Sequence, residues 1–266
     1  MNFNAALKKR HANTGLWLFE TRPFHDWKAA QTSFLWLHGI PGCGTFHAST
    51  ILASSDIALC VEKADCKLGK TVLSSTVIET LSQEKSNSAV VYFYFDFNDS
   101  TKQHVDNMLR SLVLQLLTSF DSIPGPMDSL FKACQEGAKP PQINDLERVF
   151  DALVDSNDRT FVVLDALDEC ESRQELLDFL TSAIERKDSG LSMIMTSRRL
   201  RDFDNFFDDY LGDQSKVSIQ NESVDDDIRS YVHGRLLHDR RFRRWQKQPR
   251  VQEEIESRLM EKSEGM

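Results

Sequence analysis

An apolar run, Phe34-Leu35-Trp36-Leu37, leads directly into Gly39-Ile40-Pro41-Gly42-Cys43-Gly44, and this junction restricts the fold more than any other stretch. A buried strand followed by Gly, four residues and Gly is the opening of a phosphate-binding loop. Such a loop continues with Lys and then Ser or Thr, at a helix N-terminus whose main-chain N–H groups attract an anion. Here Thr45 begins an unrelated stretch, and the continuation, Lys70-Thr71-Val72-Leu73, arrives 25 residues late. Removing residues 45–69 regenerates an unbroken G-I-P-G-C-G-K-T. A contiguous alternative ending at Gly69-Lys70-Thr71 puts Ala64 where the first Gly belongs and separates the loop from its strand.

The rest of the chain alternates two kinds of segment. Ser33–His38, Ala89–Phe97, Thr160–Leu164 and Leu191–Met195 are short, continuous apolar runs that read as buried strands, with Lys216–Gln220 a weaker fifth. Lys70–Gln83, Val105–Phe120, Ile143–Val154, Ser172–Glu185 and Val224–Leu237 carry apolar residues at helical intervals. Pro- and Gly-rich Ser122–Met127 and the Pro140-Pro141 region read as loops. Strands without polar alternation, separated by helices, predict an α/β fold: a three-layer sandwich around a mainly parallel sheet. Residues 1–30 are expected to form an N-terminal helical segment, 31–222 the α/β domain, and 223–266 the start of a helical extension.

Two later strands end in chemistry. Phe161-Val162-Val163-Leu164-Asp165 presents a carboxylate at a strand's C-terminal end, as a Walker B strand does beside a metal. Asp165 would then hold Mg²⁺ with Thr71, and Asp168 or Glu169 would orient or deprotonate an attacking water. Gly39, Gly42 and Gly44 would let the backbone curl around phosphates that Lys70 reaches. Met193-Ile194-Met195-Thr196-Ser197-Arg198 ends in a guanidinium whose planar fork suits a γ-phosphate. Taken alone, each of these two endings is also what a strand looks like where it meets solvent.

The net charge of −9 argues against non-specific binding to nucleic acid or anionic membrane. Basic, aromatic-interleaved His238–Arg250 reads as a solvated helix face because acidic residues flank it. No apolar run approaches the ~20 residues that span a bilayer, and the N-terminus lacks the apolar core of a secretory signal. Five cysteines without metal-ligand spacing fit a reduced, cytoplasmic protein.

In order, the segments TGLWLF, FLWLHGIPGCG, KTVLSSTVIETL, VYFYFDFND, RSLVLQLL, FVVLDALDEC and MIMTSRR resemble the NACHT-type, nephrocystin-3-like N-terminal domain of fungal NOD-like proteins. The resemblance covers about Gly15 to Tyr231 apart from residues 45–69. It implies a P-loop NTPase fold of the ASCE/STAND type and a nucleotide-driven switch with Mg²⁺ and ATP or GTP as cofactors. It also implies weak hydrolysis and partners among copies of itself or other signalling proteins. Lys70 and Thr71 match the end of Walker A, Asp165 with Asp168 and Glu169 the extended Walker B, and Arg198 the sensor. The chain departs from the pattern by the insertion and by stopping at Gly265-Met266, where relatives continue into helical regions and repeats.

Residues 45–69 leave at the tightest point of the cradle. Polymer entropy tolerates a closed loop of this length at a few kcal/mol. Geometry is stricter, and demands that Gly44 and Gly69 meet at nearly one place. One origin that accounts for the break is a retained intron, since Gly44-Thr45-Phe46 and Leu68-Gly69 allow codons with splice signals. The alternative function is then a non-enzymatic interaction fragment that has lost nucleotide binding.

Overall fold

The computed structural model describes residues 15–39, 45–46, 66–67, 70–84, 88–186, 188–219, 250–251 and 253. The expected helix Val224–Leu237, nearly all of the basic stretch 238–250 and most of the 223–266 extension lie outside these residues. Two short helices, α1 (Trp17–Glu20) and α2 (Arg22–Ala29), come first. Thr21 starts α2 by accepting the Phe24 N–H on its hydroxyl, one of the donors a helix start leaves unpaired. They precede β1 (Ser33–Gly39). Helix α3 (Lys70–Gln83) leads to β4 (Ser88–Tyr94), after two brief strands, β2 (Thr45–Phe46) and β3 (Cys66–Lys67). Helices α4 (Val105–Leu117), α5 (Gly125–Ala133) and α6 (Ile143–Asp155) separate β4 from β5 (Arg159–Asp165). Next come α7 (Arg173–Glu185), β6 (Leu191–Arg198), α8 (Arg201–Tyr210) and β7 (Lys216–Ser218).

The main sheet has the order β4-β5-β6-β1-β7, and every neighbouring pair is parallel. This is the α/β sandwich expected from the apolar runs. Alternation along each strand splits the core in two. Phe34 and Trp36 of β1 join Val162, Leu164, Met193 and Met195 under α4, α6, α7 and α8. Leu35 and Leu37 join Phe161, Val163 and Ile194 under α1, α2 and α3. Each fully buried side chain of this size contributes about 1.5–3 kcal/mol, so slipping one strand by a residue would forfeit both faces at once.

The chain from β1 crosses to the far edge through α3, whereas the connections through α7 and α8 run the other way on the opposite face. A right-handed crossover rule requires that reversal of faces. It makes the C-terminal ends of β1 and β6 the switch point, the place where parallel sheets hold ligands.

Several boundaries differ from expectation for local reasons. β4 ends at Tyr94 rather than Phe97, because Asp96 and Asp99 accept the Asn98 and Thr101 N–H groups and bend the chain. α4 ends at Leu117, where Thr118 and Ser119 hydroxyls take the carbonyls of Gln115 and Leu116. Ser122–Met127 is not all loop. Pro124 caps α5 and Pro126 occupies its first turn, a place where a missing N–H costs nothing. Helix α8, absent from the sequence reading, buries Phe203, Phe206 and Phe207, with Phe207 stacked on Trp36 at 4.4 Å between ring centroids.

β2 and β3 form a separate antiparallel pair, Thr45 opposite Lys67 and Phe46 opposite Cys66. The two ends of the insertion are therefore neighbours. This stem lies one to two residues inside Gly44 and Gly69, which are themselves outside the described residues.

Candidate functional site

Helix α3 is buried almost all round, from Val72 to Ile78. It can carry Ser74, Ser75 and Thr76 inside because each hydroxyl bonds the carbonyl four residues back. Gly15 packs against it with φ +80°, and a Cβ there would lie 3.0 Å from Leu73 Cδ1. The helix begins at Lys70, beside the C-terminal edge of the sheet.

Asp165, at the end of β5, is 2% exposed. Three hydroxyls surround its carboxylate: Thr71 Oγ1 at 2.7 Å from Oδ2, and Ser74 Oγ and Thr196 Oγ1 at 2.7 and 2.8 Å from Oδ1. Thr196 in turn accepts the Ala166 N–H at 2.9 Å. Burial pushes the Asp165 pKa up, while the bonds from Thr71, Ser74 and Thr196 and the charge of Lys70 oppose the shift. Lys70 and Thr71 are thus brought to Asp165, which lies 94 residues beyond Thr71 in sequence. Ser74 and Thr196 were not singled out from the sequence. Ser74 lies one helical turn after Thr71, so the spacing contained the signal.

After Asp165 the chain turns through Ala166, which is left-handed at φ 58°, an arrangement costing a residue with a Cβ about 1–2 kcal/mol. The turn swings Leu167–Glu169 back over the strand ends. Asp168 gives one carboxylate oxygen to the Arg198 main-chain N–H at 2.9 Å and the other to Arg198 Nε at 3.0 Å. Glu169 accepts the Phe97 N–H at 3.0 Å. Burial raises the Glu169 pKa, the Phe97 bond lowers it, and the nearby charges of Asp168, Asp96 and Asp165 raise it again. Gln103 holds the Phe97 carbonyl at 2.6 Å, so the loop that meets Glu169 is itself anchored.

Arg198 ends β6, where its register partner on β1 is Gly39. Arg199 N–H also donates to the Gly39 carbonyl at 3.3 Å. Gly39 therefore stands beside Arg198 at the switch point. Gly42 and Gly44 lie outside the described residues.

A strand ending in glycine at the switch point, a helix opening on Lys-Thr, and a buried Asp two strands away define a P-loop NTPase-like sandwich. Among the described residues no helix is long and apolar enough to cross a membrane. The chain belongs to the nephrocystin 3, N-terminal family, whose model matches residues 13–66 and 52–198. The match comes in two pieces that overlap over residues 52–66, inside the stretch 45–69 that interrupts the loop motif. No curated protein matches the chain.

Proposed function

We propose that this chain is the nucleotide-binding switch domain of a NACHT-type, STAND-class signalling protein, with weak Mg²⁺-dependent hydrolysis of ATP or GTP. The observation that carries the reading is the 2.7 Å bond from Thr71 to Asp165. It joins the residue after the loop lysine to the end of the strand that would face the metal. A hydroxyl and a carboxylate are hard oxygen donors, and Mg²⁺ is commonly held by one carboxylate together with substrate phosphates and water. Among the described residues no group of three or more His, Cys, Asp and Glu could hold a metal alone, and Mg²⁺ on a nucleotide needs none.

In this reading Gly39, Gly42, Gly44 and Lys70 hold phosphate, and Thr71 and Asp165 hold Mg²⁺. Bound Mg²⁺ would neutralise charge on the β- and γ-phosphates. Glu169, whose raised pKa brings it toward the range of a general base, positions or deprotonates water. Arg198 meets the γ-phosphate. The domain limits 31–222, a cytoplasmic site of action, and self-association or contact with other signalling proteins are part of the same proposal.

A second reading rests on the insertion between Gly44 and Lys70: a fragment that binds no nucleotide and acts only by protein contact. Fluorescent ATP and GTP titrated into the purified chain, with and without residues 45–69, separate the two. Binding by the chain as it stands supports the switch. Absence of binding by both removes it, and binding only after deletion assigns the chain as it stands to the second reading.

A further inference from the structure

We infer that Asp168 is a positioning residue for Arg198, so that Glu169 alone of this acidic pair faces the reacting water. The inference rests on the nucleotide-switch reading above and assigns a division of labour within that site.

Both Asp168 oxygens are occupied by one residue. Oδ1 accepts the Arg198 main-chain N–H at 2.9 Å and Oδ2 accepts Nε at 3.0 Å. This two-point grip fixes the base of the arginine side chain. The exposures agree: the Asp168 side chain is 5% exposed and the Arg198 side chain 42%. Among the described residues no second acidic group pairs with Arg198. The carbonyl of Asp168 is held too, by Arg173 Nη2 at 2.8 Å. Arg173 is itself fixed by Asp202 at 2.8 Å and lies 4.7 Å over the Phe203 ring. The turn bearing Asp168 is therefore clamped from α7 and α8 on one side and from β6 on the other. Each Asp168 oxygen already accepts from Arg198, and at 5% exposure its remaining lone pairs are shielded from water. Glu169 differs, since among the described residues its Oε2 alone meets a protein donor, the Phe97 N–H.

The function assigned to the clamp is discrimination. An arginine held at its base needs little ordering to meet a γ-phosphate, so preference for triphosphate over diphosphate depends on Asp168 through Arg198. The test is a double-mutant cycle on the full chain, and in parallel on the form lacking residues 45–69. It measures Mg²⁺-dependent binding of fluorescent ATP, ADP, GTP and GDP, hydrolysis, and thermal unfolding. Asp168→Asn is expected to lower the triphosphate-to-diphosphate preference by about tenfold. Arg198→Ala should lower it at least as far, and Asp168→Asn in the Arg198→Ala background should change nothing more. Glu169→Gln should abolish hydrolysis and keep the preference. Asn is isosteric, and the unfolding midpoint checks that the fold persists. If Asp168→Asn lowers hydrolysis by the same factor with and without Arg198, Asp168 acts on water directly and the inference is overturned. Unchanged preference in Asp168→Asn overturns it as well. Failure of both parent forms to bind any nucleotide removes the switch reading and this inference with it, a result distinct from either of those.

Discussion

Thr196→Val removes one hydroxyl while keeping side-chain shape, and two buried groups lose a partner. Asp165 Oδ1 loses a donor at 2.8 Å, and the Ala166 N–H loses its acceptor at 2.9 Å. A hydrogen bond to a charged group contributes about 1.5–3 kcal/mol, and a buried N–H left unpaired costs about 1–3 kcal/mol. The two share one atom and are not additive, so the expected loss is about 2–4 kcal/mol. That is a large part of the ~5–15 kcal/mol that holds a domain folded. Thr196→Ser keeps the hydroxyl and sacrifices a methyl, at about 1 kcal/mol.

The loss should depend on pH. Burial holds the Asp165 pKa above its ordinary value, so the folded state binds this proton more tightly than the unfolded one. Its contribution to stability therefore falls as pH rises from the unfolded value, about 3.9, through the folded one. Thr196 donates to the charged form, and removing it raises the folded pKa further and widens that window. Urea unfolding at pH 5 and pH 8, with wild type, Thr196→Val and Thr196→Ser, measures both effects. Thr196→Val should cost more at pH 8 than at pH 5. A cost below about 1 kcal/mol, no larger than that of Thr196→Ser, would refute the satisfaction argument. A cost equal at both pH values would refute its electrostatic half.

Ala166→Gly removes the Cβ that the left-handed turn disfavours, and should leave stability unchanged or raise it by up to about 1 kcal/mol, read from the thermal midpoint. Gly15→Ala combines a φ of +80° with a Cβ 3.0 Å from Leu73 Cδ1. It should destabilise by about 1–3 kcal/mol in chemical denaturation. If Glu169 takes a water proton, hydrolysis must rise with pH through its folded pKa. Burial places that limb above the ordinary glutamate value of about 4.3, and the limb should vanish in Glu169→Gln when initial rates are followed across pH.

The strands and long helices were legible because their apolar spacing was strong: Lys70–Gln83 was read with the bounds it has. Helix α8 carried an equally regular pattern in Phe203, Phe206, Phe207 and Tyr210, but its acidic spacing residues disguised it. Sequence order placed Lys70, Thr71 and Asp165 in motifs without saying that they touch. The Ser74 and Thr196 contacts depend on helix phase and strand pairing, which no local motif records. Asp168 and Glu169 are adjacent in sequence and looked interchangeable. In the turn that follows Ala166, adjacent positions point apart, one to Arg198 and the other to Phe97.

The pairing of Thr45 with Lys67 and of Phe46 with Cys66 has an evolutionary corollary. A segment tied off by a two-residue stem transmits little of its own length to the residues on either side. Material between those strands can be gained, shortened or exchanged as a cassette, with selection acting chiefly on the stem. The same property makes the span between Phe46 and Cys66 a rational place to splice in an affinity tag or reporter, with Gly39 kept at the end of β1 and Lys70 at the start of α3.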